Sequence, residues 1–244
     1  MLTQNPGLPP TASVRQALTM VTRDEARTET LLRHAGLDSL GHVRDLSGGQ
    51  AAQVALLRAL AARPEVLVLD EPFAAMDVES AARWRHLLSI AAPDRTTILV
   101  THSHYDVSML ASDALVMEGG DIAARGPVTE LLAQPPNRFV AELAGLNLLE
   151  GSVHDGRFNP EGVTFPAQGL ADGPAWAAFP RTALSAAADG ELSLQVVAAL
   201  GSGEVLATLG HQRVRLADLA EDFAPGTLLR CTLDPHAVRV YTRI

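Results

Sequence analysis

The sequence contains no lysine: all 19 of its basic residues are arginine. A phosphate-cradling loop of the form Gly-x-x-x-x-Gly-Lys-Ser/Thr needs its lysine to offset the phosphate charge, so these 244 residues do not encode one. A single cysteine, Cys231, leaves no internal disulfide to form, which suits a reducing compartment. It reads as a small buried hydrophobe rather than a reactive thiol. No apolar run approaches the roughly 18 residues needed to cross a bilayer, and Met1 is not followed by a basic-then-apolar leader. Membrane association is therefore expected only through a partner. Positive charge is also scarce. A net charge of −9 argues against a nucleic-acid backbone as the main ligand.

What is present suffices for a globular protein. The chain is 47% hydrophobic, with a slightly positive mean hydropathy of +0.12. Its 244 residues allow one large domain or two modest ones. Thr22, Arg23, Asp24 and Glu25 read as a capping box opening a helix that stops at Gly36. A second helix, over about 50–62, ends before Pro64. Residues 66–69 form an unbroken apolar run, as expected of a strand covered on both faces. Asp77 is placed to cap a helix reaching about residue 91. A second apolar strand over 97–100 and a third over 114–117, with helices between, predict a parallel α/β sheet. Residues 118–121 predict a hairpin turn. Near Leu146 the composition changes. Short strands over 192–198, 204–209, 213–216, 228–233 and 237–241, separated by Gly and Pro turns, predict a small β-barrel. The expected boundary lies between residues 145 and 146.

Two stretches offer chemistry. In Leu46-Ser47-Gly48-Gly49-Gln50, Ser47 can cap a helix while Gly48 and Gly49 leave amides unshielded at its positive end, a place that favours an anion. Taken alone, the stretch reads first as an ordinary capped helix. Asp70 and Glu71 close the apolar run at the carboxyl edge of its strand, where ligands bind in open α/β sheets. Consecutive strand residues point to opposite sides, so one carboxylate is expected toward a magnesium ion and the other toward a water. His102, after the next strand, is placed to reach a phosphate, although a lone histidine is more often structural or solvated.

In combination, Leu-Ser-Gly-Gly-Gln, four apolar residues followed by Asp-Glu-Pro, an Asp five residues after Pro72, and Thr101-His102 resemble the ATP-binding subunits of ABC transporters. The resemblance implies a fold, a partial P-loop NTPase sheet with helices over 1–145 followed by a small all-β barrel over 146–244. It implies an ATP-hydrolysing enzyme whose cofactors are ATP and Mg²⁺. Ser47, Gly48, Gly49 and Gln50 would be the signature loop that contacts ATP held by a second ATPase subunit, with Asp77 in the D-loop. Asp70 would be the magnesium-side carboxylate, Glu71 the general base and His102 the switch histidine. Gln4, in Thr3-Gln4-Asn5-Pro6, would be the Q-loop residue that touches magnesium. Transmembrane permease subunits would hold the chain at the cytoplasmic face of the membrane, without insertion of its own.

Phe139-Val140-Ala141-Glu142-Leu143-Ala144-Gly145-Leu146-Asn147-Leu148-Leu149 and the tail after it resemble the junction and TOBE- or Mop-like barrel of molybdate- and sulfate-type importers. Molybdate or a related oxyanion is the substrate this implies. The family's phosphate loop precedes its Q-loop, so the resemblance implies the C-terminal part of such a subunit, as from a truncated or wrongly started form. An apolar sheet face left open would then keep 1–145 from being independently stable. Gln53 stands where the family favours arginine. The alternative reading is a non-catalytic oxyanion-binding module with a relic ATPase half. A soluble ABC ATPase of DNA repair is disfavoured by the barrel tail, the acidic charge and the lack of coiled-coil heptads.

Overall fold

The computed structural model describes residues 2, 7–91, 95–160, 163–220 and 223–243. These form two compact units, Met1–Ser112 and Asp113–Ile244. Gln4 lies outside the described residues.

In the first unit, helix α1 spans Val14–Thr22 and opens on a capping box, Ser13 with Gln16. Helix α2 spans Glu25–Ala35. Its cap is Asp24, whose carboxylate accepts from the Arg27 amide at 3.0 Å; the expected Thr22 cap is absent because α1 runs through Thr22. Gly36, at φ +67°, ends α2 in the left-handed conformation that favours glycine. Helix α3 spans Gly48–Ala61, strand β1 Val66–Asp70 and helix α4 Val78–Ala91. Strand β2, Thr96–Val100, pairs parallel with β1 from Val66–Thr96 to Asp70–Val100, and helix α5 follows over His104–Leu110. Leu2 lies along the other side of β1: its amide donates to the Val68 carbonyl at 2.8 Å, and its carbonyl accepts from the Asp70 amide at 3.0 Å.

Leu18, Leu56, Leu67, Leu69, Trp84 and Leu88 make the centre of this unit's core. The expectation that β1 is covered on both faces is corrected. Leu67 and Leu69 are buried, whereas Val66, Ile98 and Val100 are 51%, 51% and 52% exposed, so one face of the pair is open among the described residues.

The second unit begins with strands β3, Asp113–Glu118, and β4, Asp121–Pro127, joined at Gly119 and Gly120. Both glycines have positive φ, as this two-residue hairpin turn requires. The third parallel strand expected over 114–117 is instead β3. It forms an antiparallel two-stranded sheet with β4, because the tight turn brings its local partner into register first. Helices α6, Val128–Ala133, and α7, Arg138–Leu143, follow.

Among the described residues ten strands follow: β5 Leu146–His154, β6 Arg157–Asn159, β7 Phe165–Pro166, β8 Gly173–Pro180, β9 Leu184–Ala186, β10 Leu192–Gly201, β11 Glu204–Leu209, β12 Gln212–Leu216, β13 Leu228–Leu233 and β14 Arg239–Thr242. They make two five-stranded antiparallel sheets, ordered β12-β11-β10-β13-β9 and β14-β8-β5-β6-β7. Leu149, Phe158 and Phe179 of one sheet and Leu194, Leu216 and Cys231 of the other share one core. The all-β part is thus richer than the five strands expected. The residues before 146 pack with it: α7 lies against β5, and the Tyr241 hydroxyl donates to the Pro135 carbonyl at 2.9 Å.

Candidate functional site

A cavity of about 620 Å³ opens at the carboxyl end of β1, lined by Gly48, Ala51, Asp70, Glu71, Ala75 and His102 among others. Its acidic wall follows from the end of the strand. The Glu71 amide still donates to the Val100 carbonyl at 2.9 Å, continuing the parallel ladder by one bond. At Glu71 φ becomes +47°, a region that non-glycine residues rarely occupy outside functional or tightly constrained positions. This corrects the expectation that Asp70 and Glu71 face opposite sides. Alternation stops where the strand conformation stops, and both residues line the same cavity.

The Glu71 side chain is mostly buried, and its Oε1 lies 2.7 Å from His102 Nδ1, while the imidazole is 72% exposed. With Glu71 ionised, Nδ1–H donates; Oε2 of the carboxylate and Nε2 of the ring stay available to other groups.

His102 is held from behind by a polar network. Asp106, on α5, is 2% exposed. Its Oδ1 accepts from Arg85 Nε of α4 at 2.5 Å and its Oδ2 from the Thr101 hydroxyl at 2.6 Å. Thr101 Oγ1 accepts in turn from the Ser103 amide at 3.1 Å. The Arg85 guanidinium also stands 5.1 Å from the Phe73 ring centre, a cation–π distance. The residues on either side of His102 are therefore tied to α4 and α5, and through Phe73 to the segment after Glu71. Nothing in the sequence marked Arg85 or Asp106. The one signal was Ser103, which caps α5 three residues before Asp106.

The glycine-rich stretch is a capped helix start. The Ser47 hydroxyl accepts from the Gln50 amide at 3.2 Å, and Gln50 Oε1 accepts from the Ser47 amide at 3.0 Å. The two glycines differ. A Cβ on Gly48 would meet nothing, whereas one on Gly49 would stand 2.9 Å from the Ala75 carbonyl oxygen. Gly49 therefore lets α3 approach the backbone that follows Pro72. Asp77 caps α4, accepting from the Ser80 amide at 2.8 Å, and that bond holds its carboxyl below the usual range. Gln53 is buried; its Nε2 donates to Ser80 Oγ and its Oε1 accepts from Arg83, each at 3.3 Å. A cation thus reaches this position from α4 although residue 53 carries none.

Among the described residues no cluster of three or more His, Cys, Asp or Glu side chains is placed to hold a metal ion. Magnesium does not need one. It prefers hard oxygen ligands, and binds through one or two carboxylates together with phosphate and water oxygens. The carboxylate of Asp70 beside the cavity fits that requirement. No described helix is long and apolar enough to cross a membrane.

Residues 1–74 match the family model described as ABC transporter. The chain is 44% identical over 150 residues to the molybdenum import ATP-binding protein ModC of Mycobacterium tuberculosis, covering 58% of this chain and 41% of that protein. It is 39% identical over 156 residues to the sulfate/thiosulfate import ATP-binding protein CysA of Caulobacter vibrioides, covering 62% and 46%. The chain thus spans less than half the length of these curated relatives. A solved structure, the dimeric post-hydrolysis state of the ATP-binding cassette MJ0796 bound to ADP and Pi, aligns with 51% of the chain at a TM-score of 0.46 and 23% identity.

Proposed function

We propose that the chain is the nucleotide-hydrolysing part of an ABC importer subunit that energises uptake of a small oxyanion. The observation that carries this reading is the 2.7 Å contact between Glu71 and His102, at the end of the strand that also presents Asp70 to the same cavity. Its lining gives each residue a task. Glu71 Oε2, left over from the histidine contact, takes the proton of the attacking water. His102, anchored through Nδ1, offers Nε2 to the terminal phosphate. Asp70 would hold Mg²⁺, which when bound screens phosphate charge.

Gly48 and its neighbours present backbone amides at the start of α3, and Ser47 and Gln50 satisfy one another across that first turn. In this reading these amides face ATP bound by a second ATPase subunit, and Asp77 stands at the same interface. Gln4, outside the described residues, is assigned to the magnesium side by resemblance alone. Transmembrane permease subunits would keep the chain peripheral on the inner face of the membrane. The oxyanion is inferred from the names of the relatives, one a molybdenum importer protein and the other a sulfate/thiosulfate importer protein.

The test is reconstitution. The chain is preceded by a lysine-bearing phosphate loop taken from a relative and assembled with a permease in vesicles. It should hydrolyse ATP and drive uptake of labelled molybdate or sulfate. A complete complex that hydrolyses no ATP sinks the reading.

A second reading, an oxyanion-binding module, is favoured by one observation. A cavity of about 330 Å³ in the second unit is lined by Arg138, Arg213 and Arg215, with Glu142 paired to Arg215 at 3.0 Å. Asn147 fixes Arg215 in place, accepting from its amide at 2.6 Å and donating to its carbonyl at 2.8 Å. Equilibrium dialysis of the full chain with molybdate, tungstate and sulfate tests it. Binding that survives Arg213→Ala, or no binding, removes it.

A further inference from the structure

The 2.7 Å contact between Glu71 and His102 joins two groups that have to be held in place. The imidazole is 72% exposed, so packing does not fix its ring. Glu71 stands at φ +47°, a conformation that persists only where the surroundings over-determine it. What orients the pair must therefore act on the chain to either side of it.

For His102 that is a turn closed by Thr101. Thr101 Oγ1 accepts from the Ser103 amide at 3.1 Å, a bond that spans His102 and pins its backbone. The hydroxyl proton goes to Asp106 Oδ2 at 2.6 Å, which leaves the lone pairs of the oxygen for that amide. Ser103 Oγ accepts in turn from the Asp106 amide at 3.4 Å, closing the segment on itself. On the other side, Phe73 follows Glu71 by two residues and is buried, with its ring centre 5.1 Å from the Arg85 guanidinium. Arg85 Nε donates to Asp106 Oδ1. One buried carboxylate thus carries both tethers, Thr101 on one oxygen and Arg85, with Phe73, on the other.

We propose that Thr101, Asp106 and Arg85 are positioning residues for the Glu71–His102 couple, keeping the ring turned so that Nδ1–H meets Glu71 and Nε2 stays free. Which nitrogen of a neutral imidazole carries the proton is set by the hydrogen bonds the ring makes, so a ring that loses Glu71 samples both tautomers. The effect on rate rests on the hydrolytic reading of the cavity; the effect on the tautomer does not.

The full chain, labelled with ¹⁵N in histidine, is examined by NMR at about pH 8.5, roughly two units above the ordinary imidazole pKa. His102→Gln assigns the ring among the eight histidines. The native ring should show one tautomer, protonated at Nδ1. Thr101→Val, which keeps the shape and removes the hydroxyl, should bring in the second tautomer, and Thr101→Ser should restore the first. Should Thr101→Val fail to fold, Arg85→Lys, which keeps the charge but takes the planar guanidinium from Phe73, carries the same expectation. In the chain completed with a phosphate loop, Thr101→Val should lower kcat about ten- to a hundredfold with KM for ATP within about twofold, and Thr101→Ser should recover it. Two tautomers in the native ring, or a single Nδ1–H form in the folded variant, overturn the proposal at any rate of hydrolysis. Native kcat in Thr101→Val, where Glu71→Gln has lost hydrolysis, overturns it and leaves the reading of the cavity standing.

Discussion

Removing Asp106 should unsettle the first unit more than any other single polar substitution near the site. The Arg85–Asp106 pair is held at side-chain exposures of 15% and 3%, so neither charge can fall back on water. Breaking a buried pair by deleting one partner typically loses about 3–5 kcal/mol, because the other charge stays buried without compensation. Set against a total of about 5–15 kcal/mol for a whole domain, that is a large share.

Asp106→Leu and Arg85→Met are compared with the double variant by urea unfolding. Trp84 serves as the probe in a Trp176→Phe background, because Trp84 lies in the first unit and Trp176 in the second. With a urea dependence of about 1–3 kcal/mol per molar, each single variant should shift the midpoint down by roughly 2 M. The double variant should recover much of the loss, since an apolar pair leaves no stranded charge, giving a coupling of about 2–3 kcal/mol. Thr101→Val, which removes only one hydrogen bond to Asp106, should lose about 1 kcal/mol. Single variants that each lose under about 1 kcal/mol, or a double variant equal to their sum, would refute the claim that this pair anchors the His102 segment.

Three further outcomes are expected. Gly48→Ala should be neutral or stabilising by up to about 1 kcal/mol, whereas Gly49→Ala should lose about 1–3 kcal/mol as its Cβ meets the Ala75 carbonyl; the same urea experiment compares them. Ser47→Ala should remove the cap of α3 and lose about 1 kcal/mol, read as a lower midpoint with an unchanged slope. At alkaline pH, Cys231 and Tyr241 matter together. Burial raises both pKa values, so the unfolded chain releases these protons first, and stability present below the ordinary thiol range should fall as pH rises through it. Cys231→Val should flatten that fall, and the native thiol should ignore a disulfide reagent until the second unit unfolds.

The parts of this fold that were legible in the sequence are those where local chemistry and tertiary contact agree. The apolar run ending in Asp70 and Glu71 is β1, and Ser47 caps α3 as its place before Gly48 and Gly49 implies. The first half of β10 and strands β11 to β13 alternate buried residues with more accessible ones, so their pattern survives in composition. Strand β8 has no such pattern. Ala175, Ala177 and Phe179 pack into one core cluster while Trp176 and Ala178 pack into another, so both faces are apolar and small residues hide the period. Its long partner β5 was hidden with it.

At the site, the carboxylates and the histidine were legible, but not that both carboxylates line one cavity. That arrangement depends on the positive φ of Glu71, which no residue pattern announces. The Arg85–Asp106 pair joins positions 21 residues apart, and Gln53 meets Arg83 across 30, so each is visible only once α4 is in place.

The most direct test of the account concerns Glu71. In the chain completed upstream with a lysine-bearing phosphate loop, Glu71→Gln keeps the shape of the side chain and its contact with His102 but removes the base. ATP binding should persist while steady-state hydrolysis falls by about 10²–10⁴-fold, the usual worth of a positioned general base. Hydrolysis that continues within a few-fold of the unsubstituted chain would contradict the role given to Glu71 and, with it, the reading of the cavity at the end of β1.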